Sequence, residues 1–295
     1  MLPNHGKNWG ELSKNYMIEN QPVDLPYFDQ LLGEIAQGNT QVIKAFGLHV
    51  HWGYWQNPAL ADGSIDDFAL AAENLTRRVC DAGDAADGQS ILDCGCGFGG
   101  TIASLSDRFH HLQLTGVNID PRQLARAREQ VQPRNHNHIE FVQGDACQLN
   151  FADNSFDLVL AVECIFHFPS RDRFFQEAWR VLKPGGKLAI CDFIPQKFLS
   201  PIMTIGGKLL APIIGNTYGQ VDSSFTLNAY RQLAQTTGFK TILEEDITAN
   251  TIPTYPLLYR LQIEEGKSKS ANSTVIGEWI SRLGILRYFI LSFEK

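Results

Sequence analysis

Ile91-Leu92-Asp93-Cys94-Gly95-Cys96-Gly97-Phe98-Gly99-Gly100 is the stretch on which the fold turns. Two apolar residues close a short strand and an acid follows. Glycine then takes every second position before Thr101-Ile102-Ala103-Ser104-Leu105 opens a helix. Glycine tolerates a tight turn and leaves bare peptide against which a ligand can lie. The helix behind it presents unpaired N–H groups. Strand, glycine-rich turn and helix in this order make a nucleotide-type binding turn between a first strand and a first helix.

Working outward, strand and helix alternate. Ser90–Asp93 reads as strand one, Gln113–Ile119 as strand two, and Pro121–Gln130 as the helix after it, with Pro at its first turn. Ile139–Asp145 is strand three. Phe156–Val162 is strand four, an unbroken apolar run of the kind a buried parallel strand needs. Arg171–Leu182 is a helix that Lys183-Pro184-Gly185-Gly186 stops before strand five, Lys187–Phe193. Further on come a helix from Thr226 to Thr237, with Thr226 as N-cap and Gly238 as stop, strand six over Lys240–Thr248, and a last strand over Leu286–Phe293. The pattern is a doubly wound, Rossmann-like α/β fold with seven strands.

Three regions follow. Residues 1–85 form an N-terminal helical lid, 86–194 the ligand-binding core, and 195–295 cap insertions plus the strands that complete the sheet. In the first, a helical pattern begins after Pro26 and Asp66–Arg78 is helical. The aromatic loop Gly47–Trp55 is read either as packing of the segment onto the core or as a lid over the site, with His49, His51 and Trp52 in the acceptor pocket. The apolar stretch 195–225 is read either as a wall for a large apolar ligand or as a homodimer contact or cap packing. Residues 250–284 are a helical insertion with a polar linker at Gly266–Ser273.

The chain has 295 residues and a net charge of -7, with no basic run, which disfavours a broad nucleic-acid surface. Phe198–Gly215 is broken by Pro201, Lys208 and Pro212, so no transmembrane segment is expected. The six cysteines show no zinc-type pair spacing, and no metal is expected. Reduced core cysteines and the lack of a signal peptide suggest a cytoplasmic protein.

Gly95, Gly97 and Gly100 fit the dinucleotide pattern GxGxxG, with Asp120 downstream. Asp93-x-Gly-x-Gly-x-Gly fits the first motif of the S-adenosylmethionine (SAM) methyltransferases better. A carboxylate at the lip repels a pyrophosphate and suits the cationic aminoacyl end of SAM. With Gly144-Asp145-Ala146, Phe156-Asp157-Leu158-Val159 and Leu182-Lys183-Pro184-Gly185-Gly186 in order, residues 90–195 resemble a class I SAM-dependent methyltransferase. Gly116-Val117-Asn118-Ile119-Asp120-Pro121-x-Gln123 and Glu163-Cys164-Ile165-Phe166-His167-Phe168-Pro169 narrow the resemblance to small-molecule enzymes of the erythromycin, rebeccamycin and tocopherol type.

The resemblance implies a late antiparallel strand, SAM as cofactor and a small-molecule acceptor. Gly95, Gly97 and Gly99 would cradle the methionine portion and Asp93 would serve its amino group. Asn118, where most class I enzymes have an acid, would reach the ribose with Gln123, next to Ile119. Asp145 would accept from the adenine amino group, with Ala146 N–H on the ring.

Methyl transfer to a hydroxyl needs a base near the attacking oxygen. His167 lies just past strand four and Asp192 at the end of strand five. Sugar O-methyltransferases of the resembled type carry a His and an Asp at these positions, which makes His167 the expected base and Asp192 its orienter. The alternatives are a packed structural histidine and a turn-capping aspartate. Glu163 is expected in the site, against cofactor or acceptor, because a buried carboxylate with no role is costly. The expected activity is O-methylation of a small, largely apolar natural product (polyketide, sugar or phenol). The alternatives are C- or N-methylation of an isoprenoid or amine, and a non-catalytic SAM-binding subunit.

Overall fold

The computed structural model describes residues 17–18, 21–22, 25–196 and 225–295. The sheet is built from β1 (Ser90–Cys94), β2 (Gln113–Asn118), β3 (His138–Gln143), β4 (Phe156–Val162), β5 (Leu182–Pro195), β6 (Lys240–Asp246) and β7 (Leu286–Glu294). Its spatial order is β3-β2-β1-β4-β5-β7-β6. Strands β1 to β5 run parallel, and β7 is antiparallel to both neighbours. All seven strands expected from the sequence are present, and the order reverses between β1 and β4, where ligands of such sheets bind.

The faces are set by strand alternation. Ile91 faces one layer, with Leu75 and Val79 of α3 (Ile65–Ala82), Ile102 and Leu105 of α4 (Gly100–Arg108), and Leu124 and Ala127 of α5 (Pro121–Gln130). Leu92 faces the other, with Phe174, Phe175 and Val181 of α6 (Arg171–Val181) and Tyr230 and Leu233 of α7 (Leu227–Thr237). In β4, Leu158 to Ala161 are fully buried, as expected for a strand covered on both sides. Each buried Leu or Ile contributes roughly 1.5–3 kcal/mol of transfer free energy.

Caps close several helices as their residues dictate. Asp120 accepts from Arg122 N ahead of Pro121, Ser64 caps α3, Thr226 caps α7, and Gly238 ends α7 at φ +105°. The segment Lys183–Gly186 loops out between the pairs Phe156–Leu182 and Leu158–Lys187, so the stop signal read in the sequence is the connection into the sheet.

Three expectations are corrected or bounded. Helix α3, placed in the N-terminal lid, is a layer of the core; α1 (Pro26–Ala36), α2 (Thr40–Phe46) and the loop to residue 55 precede it. The polar linker at Gly266–Ser273 is mostly helix. After the short α8 (Thr248–Thr251) and α9 (Thr254–Glu264), Gly266 at φ +74° makes the break and α10 (Ser268–Arg282) starts at once. There Ala271 is fully buried and Thr274 bonds Gln262 of α9, so packing overrides the weak propensity of a Ser-rich run. Within the apolar stretch 195–225, residues 197–224 lie outside the described residues. Among the described residues no helix is long and apolar enough to cross a membrane.

Candidate active site

A cavity of about 380 Å³ opens at the carboxyl ends of β1, β2 and β4. Its floor includes Gly95, Gly97, Asn118, Ile119 and Gln123. Asp145 and Ala146, which follow β3, Glu163 and His167, which follow β4, and Tyr27, Phe28 and His49 of the N-terminal segment also line it.

The glycine turn is shaped by two contacts. Gly95 N and Cys96 N both donate to Val117 O, at 2.8 and 3.0 Å, which folds the turn over the end of β2. Gly95 is in the left-handed region at φ +77°, and a Cβ there would lie 2.7 Å from Cys164 Sγ. Gly97, at φ +53°, faces open space, its nearest neighbour being Gln123 Oε1 at 4.0 Å. Gly99 differs. Its missing side chain admits Val131 and Phe141, and it does not line the cavity. Gly100 does line it, against His49. Asp93 sits behind the turn, 1% exposed, and also does not line the cavity. Burial pushes its carboxyl up to about 7, opposed by a hydrogen bond with Thr101.

At the far end of the cradle the amide of Asn118 is occupied within the protein. Its Nδ2 donates to Gln123 Oε1 at 2.9 Å, and its Oδ1 accepts from Asp120 N at 3.1 Å. Gln123 is thereby held with its oxygen engaged and its Nε2 turned elsewhere. Asp145 Oδ1 accepts from Cys147 N at 2.8 Å.

His167 lies in a short 3-10 turn, Ile165–His167, after β4. Its Nε2 is 3.2 Å from Tyr27 Oη, and the two rings stack with centroids 5.8 Å apart. The expected His167–Asp192 pair is not formed. Asp192 is fully buried. Its Oδ2 accepts from Arg171 Nη2 at 3.0 Å and from Tyr230 Oη at 2.5 Å, and its Oδ1 from Phe193 N at 2.8 Å. Burial raises this carboxyl above the ordinary range even against Arg171 and Tyr230. Asp192 is absent from the cavity lining.

Glu163 does line it, with a backbone in the left-handed region at φ +52° that an L residue rarely adopts. Its Oε2 accepts from Trp52 N at 3.0 Å and from the Tyr288 hydroxyl. Burial pushes the carboxyl up to about 8, further than these two donors pull it down.

His49 and His51 line the cavity, whereas Trp52 is held away from it, edge-on to Tyr255 and Phe193 at 4.3 and 5.2 Å. The aromatic loop divides: Leu48 to His51 line the cavity, and Trp52, Tyr54 and Trp55 pack into apolar clusters. Among the described residues no group of three or more His, Cys, Asp or Glu is placed to hold a metal ion.

The methyltransferase domain family matches residues 92–190, from β1 into β5. Methyltransferase GfsG of Streptomyces halstedii is 32% identical over 232 residues, 78% of this chain and 80% of its own length. The chain is a class I SAM-dependent methyltransferase. O-methyltransferase cnsE of Penicillium expansum is 28% identical over 270 residues, 90% of this chain and 92% of its own. Among solved structures the cyclase SpnF superposes with a TM-score of 0.70 at 23% identity, over 91% of this chain and 93% of its own, which shows the shared fold.

The residues of this methyltransferase fit the cofactor of its family. Buried Gln123 Nε2, in the cavity lining, has no hydrogen-bond partner among the described residues, and Gly97 leaves space above the turn. An orphaned buried donor costs about 1–3 kcal/mol, so Gln123 Nε2 calls for an acceptor such as a ribose hydroxyl. Sequence reasoning missed Tyr27 and Tyr288. Tyr27 reads only as part of an amphipathic helix and Tyr288 as part of an apolar strand, and neither pattern signals the contact with His167 or Glu163.

Proposed function

We propose that this enzyme methylates a hydroxyl oxygen of a small, largely apolar natural product, with His167 as general base. The observation that carries the reading is that His167, which follows β4, lines the same cavity as the glycine cradle and Asp145, which follows β3. The similarity to the O-methyltransferase cnsE supports the same class.

SAM, when bound, supplies a methyl group already activated by its sulfonium. The chain must then position the acceptor and take its proton. Gln123 Nε2 donates to a ribose hydroxyl, held in place by Asn118. Asp145 accepts from the adenine amino group, and the bare face of Gly97 admits the methionyl chain. His167 accepts the hydroxyl proton as the oxygen attacks. Tyr27, not Asp192, touches its ring, and Asp192 acts further back by tying Arg171 of α6 to Tyr230 of α7. Glu163, neutral below about pH 8, presents a hydrogen-bonding group rather than a fixed charge to the reacting end.

The test is incubation with methyl-labelled SAM and a panel of sugars, phenols, polyketides and isoprenoids, reading the carbon shift of the new methyl. A methoxy shift is expected. His167→Ala should lower kcat by about 10²–10⁴-fold with SAM binding intact. A methyl on carbon or nitrogen, or unchanged turnover in His167→Ala, overturns the base.

A further inference from the structure

Glu163 and His167 line the cofactor cavity, and three aromatic side chains stand beside them without lining it. Phe166 lies in the same 3-10 turn as His167, with the two ring centroids 4.5 Å apart. Phe193 is next, 6.2 Å from Phe166. Trp52 follows, edge-on to Phe193 at 5.2 Å. The rings therefore run without a break from His167 through Phe166 and Phe193 to Trp52.

Strand alternation puts Phe193 there. It follows Asp192 on β5, so it shares the layer of Cys191 and Tyr288 and not the one that Asp192 enters. Its ring meets that of Tyr288 at 4.4 Å, and the Tyr288 hydroxyl bonds Glu163. Trp52 is fixed twice. Its N donates to Glu163 Oε2 at 3.0 Å, and its ring meets that of Tyr255 at 4.3 Å. Tyr255 and Tyr288, 4% and 1% exposed, close the back of the run, whereas Phe166, Phe193 and Trp52 are each only partly buried. Successive planes differ by 58°, 52° and 75°, so the rings do not cover one another's faces by stacking. Open aromatic surface next to a few polar groups, at the carboxyl edge of the sheet, is the make-up of a small-molecule site.

We propose that Phe166, Phe193 and Trp52 form the wall on which the apolar body of the methyl acceptor lies, with its hydroxyl at His167. The methyl acceptor is then an extended apolar molecule whose reacting hydroxyl stands at one end, and its far end reaches past Phe193 to Trp52. Phe166 and Phe193 set the fit near the hydroxyl, and Trp52 sets the length that is rewarded. On this reading Trp52 serves the methyl acceptor, and His49 and His51 belong to the cofactor cavity. The inference rests on the reading of His167 as the reacting end.

Calorimetry on the protein saturated with S-adenosylhomocysteine tests the wall without turnover. The probes are 4-alkylphenols with side chains from methyl to octyl. In the wild type, affinity should rise about two- to fourfold per added methylene. In Phe193→Ala and in Trp52→Ala the octyl compound should lose about tenfold, while the methyl compound stays within about twofold. Binding of S-adenosylhomocysteine unchanged to within about twofold shows that each variant is folded. Phe193→Leu, which keeps an apolar side chain in the layer, repeats the measurement with a loss of about threefold for the octyl compound. No rise with chain length in the wild type, or equal losses for the methyl and octyl compounds in the variants, overturns the wall. Failure of the base reads out separately, in the turnover of His167→Ala, and leaves the chain-length dependence unchanged.

Discussion

Replacing Glu163 by Gln keeps the shape of the side chain and its ability to accept from Trp52 N and Tyr288 Oη, and removes its titration. Glu163 stands in a cavity wall with two neutral donors and, among the described residues, no ion pair. Burial raises it from 4.5 to about 8. The folded value lies above the unfolded one, so the folded protein holds a proton that the unfolded chain releases. The stability this contributes is complete below about pH 4.5 and is lost as pH rises toward and through 8. At about 1.36 kcal/mol per pH unit the whole effect is roughly 4–5 kcal/mol. Glu163 is only partly buried, so about 2 kcal/mol is the expected size. Urea denaturation of both proteins from pH 5 to 9.5 measures it. Asp93, which burial raises to about 7, titrates in both and cancels in the difference. The variant should gain about 2 kcal/mol on the wild type between the two ends of the range. Profiles parallel to within about 0.5 kcal/mol would refute the view of Glu163 as a neutral carboxyl forced on the site.

Gly95→Ala puts a Cβ 2.7 Å from Cys164 Sγ at a φ of +77°, and a loss of roughly 2–3 kcal/mol with weakened SAM binding is expected from denaturation and calorimetry. Arg171→Met leaves Asp192 buried without its cation, which should cost about 3–5 kcal/mol in denaturation and leave the pH–rate profile of the surviving enzyme unchanged. Tyr27→Phe removes the group bonded to His167 Nε2 and keeps the stacked ring. The pH–rate limb assigned to His167 should move and kcat fall about tenfold, with the KM for SAM within about twofold.

How much of this was legible in the chain depends on how far apart the interacting residues lie. The seven strands and the cradle were readable because their signals are local. Apolar runs such as Phe156–Val162 mark buried strands, and the turn from Asp93 to Gly100 is contiguous in sequence. Tyr27 meets His167 across 140 residues and Tyr288 meets Glu163 across 125, and no periodicity spans such distances. The Asp192 pairing failed for a reason that strand geometry contains. β4 and β5 are neighbours, with Val162 opposite Cys191, so the two strand ends do lie together. Side chains alternate, however. Leu188 and Ile190 face the layer of α6 and α7, and Cys191 faces the other layer, so Asp192 shares the face of Leu188 and Ile190 and enters α6 and α7. A carboxylate in that layer requires a buried partner, and Arg171 and Tyr230, one from each helix, provide it. Strand parity thus sends Asp192 into the layer of α6 and α7, although its strand end lies beside the one that His167 follows.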